Sequence, residues 1–148
     1  MFVLYDMKKK AKHTLFLEDD FDFDMIGICC HQNDYRIAWV LNEALSIMLA
    51  KSQEPFMVSN KKGDVVSSHS YYQWEDEENG VTFNLVKNKA QKDWLVPEKH
   101  QIDFFLVIKN GGIVDVDDLL TKIKSIPNIL TAIIVAPNEL KSKSNLIF

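Results

Sequence analysis

Glu98, His100 and Asp103 stand close together and are the chain's clearest candidates for acid–base chemistry. A His flanked by carboxylates can be tuned to exchange a proton near neutral pH. Glu98 falls in a corner, whereas Asp103 falls inside the apolar strand that follows, so the two carboxylates need not converge. An ionised carboxylate in a buried strand requires partners. We therefore expect a structural role for Asp103, which would accept hydrogen bonds from a backbone turn or pair with Arg36, the chain's only arginine.

Three alternating aspartates raise the question of a calcium site. Asp20, Asp22 and Asp24 have the spacing of the first three ligands of an EF-hand loop. The sixth position of that loop requires Gly and the twelfth a bidentate Glu. Met25 and His31 occupy those positions here. We therefore expect no metal at this segment and interpret the alternation as the solvent side of a strand edge.

Cysteine and glycine patterns add no further site. Cys29 and Cys30 are adjacent in a predicted strand, so their side chains point to opposite faces and a bridge between them would be strained. Buried reduced thiols in a reducing compartment are expected. Residues 110–112, Asn-Gly-Gly, precede a predicted helix, but the acidic side chains of its first turn would repel a phosphate. A tight turn before a capped helix is the preferred interpretation.

Motifs of known enzyme classes are missing from the sequence. It contains no Gly-x-Ser-x-Gly, no spaced set of His ligands and no Cys-His arrangement, and its four histidines are scattered. These observations favour a protein that is not an enzyme and carries no cofactor and no metal.

Length and charge narrow the class of protein. The 148 residues are 47% hydrophobic and carry a net charge of -4, which is typical of one globular domain over 1–148 and disfavours nucleic-acid binding. Residues 1–12, which contain a Lys-rich run at 8–12, are interpreted as a lead-in to the domain, and Met7 is an alternative start. Residues 138–148 are interpreted as a loosely held tail. No apolar run approaches the ~20 residues that span a bilayer. We expect a cytoplasmic protein that binds neither nucleic acid nor membrane.

Hydrophobic periodicity and turn residues predict the elements that position these groups. Asn79-Gly80 between two strand-like runs indicates a hairpin. The predicted class is α+β, a mainly antiparallel sheet of about six or seven strands with two helices packed on it. The closing strand-helix-strand unit is compatible with a ferredoxin-like arrangement, which the sequence alone does not demonstrate. Strands are predicted at 14–17, 25–30, 56–60, 64–76, 81–88, 102–109 and 129–136, and helices at about 35–50 and 115–126.

The first predicted helix carries a second apolar row beside the row that faces the sheet. Ile37, Val40, Ala44 and Ile47 form it. Either the row is buried beneath the middle hairpin and the tail, or it is an interface with a second copy or another protein. The aromatic side chains of Tyr71 and Trp74 on the middle strands are of the kind that anchors interfaces.

One stretch carries a family resemblance. Val96-Pro97-Glu98, three variable residues and then Ile102-Asp103-Phe104 resemble the signature of the bacterial IPExxxVDY family, small proteins of unknown function. The resemblance extends, more weakly, to 23–28, 35–36 and 41–42. Three signature positions depart, and Phe104 lacks the hydroxyl that the family's Tyr would supply. The resemblance implies a shared fold and a shared structural corner at Pro97, Glu98 and Asp103, but no activity.

Two functional hypotheses follow from the sequence. The leading one is a non-catalytic protein-interaction or binding module. The alternative is a small enzyme or ligand-binding protein with a polar site around Glu98, Asp103 and Arg36. A pocket lined by all three residues would favour the alternative, whereas a closed Arg36–Asp103 pair would favour a structural role for these residues.

Overall fold

The structure is a computed structural model that describes residues 22–110 and 112–148. The predicted strand at 14–17, the Lys-rich run at 8–12 and Asp20 of the calcium-like pattern lie outside the described residues. Ten strands and two α-helices occur in the described part. The strands are β1 Asp24–Cys30, β2 Ala50–Lys51, β3 Phe56–Ser59, β4 Val65–His69, β5 Tyr71–Asp76, β6 Val81–Lys87, β7 Lys89–Ala90, β8 Asp93–Trp94, β9 Phe104–Lys109 and β10 Ile129–Val135. The helices are α1 Asp34–Leu45 and α2 Val116–Lys124.

Six strands form one sheet in the order β10-β1-β9-β6-β5-β2, and every neighbouring pair is antiparallel. β9 and β10 both run antiparallel to β1, which lies between them, and α2 connects them along the chain. This is a split β-α-β unit, an arrangement that the sequence leaves open. The α+β class with its mainly antiparallel sheet and two helices is confirmed.

β9 lies in the middle of the sheet and is covered on both faces. Its side chains from Phe104 to Ile108 are buried, which explains the unbroken apolar run in the sequence. Phe104, Leu106 and Ile108 join the cluster beneath the helices, and Phe105 and Val107 join the cluster on the opposite face.

α1 is shorter than the sequence predicts. Asn33 caps it by accepting a hydrogen bond from the Arg36 N–H at 3.1 Å. The helix ends at Leu45 because Ser46 adopts the left-handed conformation, with φ 57°. The Asn42 side chain then accepts from the Leu49 N–H and donates to its carbonyl oxygen, which closes the loop. Periodicity alone does not reveal this stop, since the residues that follow remain apolar.

The middle of the chain forms two separate pairings in place of one long strand at 64–76. β4 pairs with β3 in a two-stranded sheet, whereas β5 pairs with β6 in the main sheet. The break falls at Ser70, whose carbonyl oxygen accepts from the Lys87 N–H. The change of partner places the β3–β4 hairpin over the face of the sheet away from the helices.

The segment 138–148, expected to be loosely held, packs into that same face. Leu140 and Leu146 are buried, and the Phe148 ring stacks on Phe56 with centroids 4.5 Å apart. Two short 3-10 turns, Pro137–Glu139 and Lys143–Asn145, bring these side chains inward. The apolar residues of the tail are too widely spaced for a helical or strand period, so the sequence gives little sign of this packing.

Candidate functional site

The corner at Pro97, Glu98 and Asp103, here called the signature corner, is organised by Asn88. Asn88 is fully buried between β6 and β7. Its Nδ2 donates to the carbonyl oxygens of Lys99 and Ile102 at 3.0 and 2.9 Å, and its Oδ1 accepts from the Val96 N–H at 2.9 Å. Its backbone N–H donates to the Asp103 carbonyl oxygen. Nothing in the sequence distinguishes Asn88, since an Asn at the end of a predicted strand is ordinary, and only the closed corner shows its role.

Asp103 ties the entrance of β9 to the end of β1. Its Oδ2 accepts from the Cys30 N–H at 2.8 Å, and its own N–H donates to the Ile28 carbonyl oxygen. Both neighbouring cysteines are free thiols, as expected. Burial, with the Asp103 charge as a smaller contribution, raises the pKa of Cys29 and of Cys30. These thiols are therefore protonated at neutral pH and poor nucleophiles.

Glu98 ties the corner to the C-terminal segment. It follows Pro97 in a short 3-10 turn, Pro97–Lys99, and its Oε2 accepts from the Ser142 N–H at 3.0 Å. Partial burial would raise the pKa of this carboxyl group, but the N–H donors of Glu98, Lys141 and Ser142 outweigh it and lower the pKa. The carboxylate therefore serves as an anchor for backbone groups.

The predicted polar site around Glu98, Asp103 and Arg36 does not assemble. Arg36 is exposed on α1, with its guanidinium carbon 5.7 Å from the centre of the Trp39 ring. Asp103 accepts from a backbone N–H, that of Cys30 at the end of β1, and of the two partners considered for it, backbone groups or Arg36, the structure shows the first. The His100 ring contacts Trp94 edge to face. These groups stabilise separate local contacts and do not converge on one pocket.

The second apolar row of α1 is largely covered by the chain itself. Ile37 and Ile47 are core residues beneath the helices, and Val40 and Ala44 are half-buried against the same core. The row is therefore not the exposed interface that the sequence left open as one alternative.

The two aromatic candidates on the middle strands are also engaged within the molecule. The Tyr71 hydroxyl donates to Oδ1 of the buried Asn84 at 2.7 Å. The Trp74 ring stacks on Phe83 with centroids 5.8 Å apart. Both side chains are half-buried, so neither projects freely as an interface anchor.

An exposed apolar surface occurs elsewhere, on β10. Leu130, Ile133 and Ile134 are 62%, 40% and 48% exposed. Within the described residues β10 pairs only with β1, and no described strand pairs with its outer edge. In the sequence β10 is as apolar as β9, but the topology places it at the edge of the described sheet.

A groove lies beside the start of β10. It has a volume of about 240 Å³ and separates α1 from the turn after α2. Trp39 forms one wall and is more than half exposed, and Tyr35 is exposed one turn earlier on α1. The groove is lined by Gln32, Arg36, Trp39, Val40, Ile126, Pro127, Asn128 and Ile129.

No group of three or more His, Cys, Asp or Glu side chains in residues 22–110 and 112–148 is arranged to hold a metal ion. No helix over those residues is long and apolar enough to cross a bilayer.

Comparison with known proteins identifies no relative: no family model, no curated protein and no solved structure matches the chain. The resemblance to the IPExxxVDY family therefore stays a prediction.

Proposed function

We propose that this protein is a protein-interaction module that pairs with a second copy of itself through the outer edge of β10. The observation that carries the proposal is the exposure of Leu130, Ile133 and Ile134 on a seven-residue strand without a single charge. The leading hypothesis from the sequence, an interaction module, is kept, but the proposed interface lies on β10 and not on α1.

The character of this edge favours an added strand as the occupant. Natural sheets protect an edge with charged side chains, proline or marked irregularity. β10 has one register shift between Ile129 and Thr131, but no charge and no proline. Ile133 lies opposite Gly27 and Ile134 opposite Ile26, so the two side chains project from opposite faces of the sheet. A strand added beside β10 would satisfy its backbone groups and cover apolar side chains on both faces.

Charge supports a second copy as the source of that strand. The chain has a net charge of -4, so two copies repel each other over most approaches. Two β10 strands bring no like charges together, and antiparallel pairing about a two-fold axis uses the same surface on both copies. The exposed rings of Tyr35 and Trp39 beside the groove would extend the contact beyond the strand.

The test is the mass of the protein in solution, measured by light scattering and by native mass spectrometry. We expect twice the 17.1 kDa of one chain. Ile134→Lys places a charge in the proposed interface and should give a monomer that keeps its circular dichroism spectrum. Met57→Lys is the matched control, because Met57 is 47% exposed on β3, away from the proposed contact, and this variant should remain dimeric.

Hydrogen exchange at the β10 amides distinguishes the other occupants. In a homodimer, protection of these amides falls on dilution and is lost in Ile134→Lys. A monomer with protection that does not depend on concentration would contradict the proposal and indicate a strand from residues 1–21 of the same chain. A monomer with unprotected β10 amides would contradict it as well. A different protein chain bound after gentle isolation from the cytoplasm, and released by Ile134→Lys, would overturn the second copy as partner but retain the interaction module.

A further inference from the structure

A serine and a histidine lie in contact on β4. Ser67 and His69 are two residues apart on one strand, so their side chains share a face. His69 Nε2 lies 2.8 Å from Ser67 Oγ, and His69 Nδ1 lies 2.9 Å from the Lys87 carbonyl oxygen. The imidazole is 1% exposed, whereas Ser67 is half-buried.

These partners determine the role of each ring nitrogen. A carbonyl oxygen can only accept a hydrogen bond, so Nδ1 carries the hydrogen that is donated to the Lys87 carbonyl oxygen. In the neutral ring Nε2 then has a free lone pair and accepts from the Ser67 hydroxyl. Burial lowers the pKa of His69, although the Lys87 carbonyl and the Asp93 charge oppose this effect. The result is a hydroxyl, a base and a group that orients the base, the arrangement by which serine nucleophiles are activated.

A cavity is lined in part by Ser67. Its volume is about 240 Å³, and Ser67 shares its wall with Ala90, Gln91 and Asp93 from the β7–β8 hairpin. It is open to solvent and large enough for a small acyl group. The Asp93 carboxylate on the wall would repel an anionic substrate and accept an uncharged or cationic one.

We propose that Ser67 is a nucleophile for acyl transfer from small uncharged or cationic carboxylic esters, with His69 as its general base. Ser67 Oγ attacks the ester carbonyl carbon while its proton passes to His69 Nε2. The bond from that carbon to the leaving oxygen breaks, and the leaving alcohol takes the proton from Nε2. Water then attacks the acyl-serine, gives a proton to Nε2 and releases the acid, and Nε2 returns the proton to Oγ.

This activity goes beyond the proposed pairing through β10. It resides on the β3–β4 hairpin, a two-stranded sheet separate from the main one. The polar site predicted from the sequence lies around Glu98, Asp103 and Arg36, whereas the structure brings a different nucleophile and base together.

The experiment treats the full chain with a fluorophosphonate probe, which phosphonylates activated serine hydroxyls, and identifies the modified residue by peptide mass spectrometry. We expect one adduct, on Ser67, and slow hydrolysis of p-nitrophenyl acetate by the same protein. Ser67→Ala should lose both signals at least tenfold. Ser59→Ala, which removes an exposed hydroxyl from the neighbouring strand β3, should retain both.

The role of His69 is tested with His69→Gln, which keeps polar atoms near Lys87 but supplies no base. We expect it to lose labelling as fully as Ser67→Ala. This variant replaces a buried side chain, so its folding is checked first by circular dichroism. If His69→Gln does not fold, the result with Ser67→Ala decides the proposal. An unlabelled wild-type protein, or a folded Ser67→Ala protein labelled like the wild type, would overturn the proposal.

Discussion

At the scale of the residue, a few polar side chains, of which Asn88 is fully buried, hold separate segments together. Asn88 makes three side-chain hydrogen bonds to the backbone of Val96, Lys99 and Ile102. Asp103 and Glu98 each accept from a backbone N–H far along the chain. Backbone groups in an irregular corner have no neighbouring strand to satisfy them, so side chains must do so. These hydrogen bonds give Asn88, Glu98 and Asp103 a structural role in the corner.

Replacing Asn88 by Ala should therefore destabilise the fold strongly. The variant leaves the Val96 N–H and two carbonyl oxygens without their partner in a buried site, which should cost about 3 kcal/mol in free energy of unfolding. Urea denaturation followed by Trp fluorescence measures this. Asn138→Ala, at an exposed position, is the control and should change the free energy by less than about 0.5 kcal/mol. Equal stability of the two variants would show that the corner does not depend on Asn88.

His69 should make stability depend on pH. Burial lowers its pKa in the folded protein below the ordinary value of 6.5. Below pH 6.5 the unfolded chain therefore binds this proton more readily than the folded protein does, so stability is full above that pH and falls as the pH drops. One proton limits the loss to about 1.4 kcal/mol per pH unit.

The free energy of unfolding, measured at about pH 7.5 and about pH 5.5, should fall between the two values in the wild type and fall less in His69→Gln. The comparison concerns the change with pH within each protein, since the substitution has its own effect on stability. The same change with pH in both proteins would mean that His69 does not titrate in this range.

At the scale of the element, the sheet is built from strands whose surroundings differ more than their sequences. β9 and β10 are both rich in Ile, Val and Leu or Phe, yet β9 is buried and β10 is exposed along one edge. The composition of a strand shows which of its side chains are apolar, but its position in the sheet determines which of them are buried. The C-terminal segment shows the opposite: its apolar residues are scattered in the sequence, yet they pack on the face of the sheet away from the helices.

The contribution of that segment can be measured with two neighbouring residues. Leu146 is fully buried, whereas Ile147 is 55% exposed. Leu146→Ala should lower the free energy of unfolding by about 3 kcal/mol, because it removes apolar contacts and leaves a cavity. Ile147→Ala should change it by less than about 0.5 kcal/mol. Chemical denaturation of both variants makes the comparison, and similar small effects would show that the segment adds little to the core.

At the scale of the whole molecule, one sheet separates two apolar clusters. The helices cover one face, and the β3–β4 hairpin, the signature corner and the C-terminal segment cover the other. The two proposed activities use different parts of this arrangement. Pairing with a second copy uses the edge of the sheet, and acyl transfer uses the hairpin that covers its second face.

The sequence by itself determined the α+β class, most strand positions, the two helix starts and the free thiols. These depend on local periodicity, capping residues and turn residues, which act over a few positions. Only the tertiary structure decided that Asp103 bonds to the Cys30 N–H and not to Arg36, that Ile37 is core, that β10 is an edge strand within the described sheet, and that Ser67 meets His69 beside a cavity. Each of these depends on which segments meet across the fold, and contacts between distant segments leave no period in the sequence.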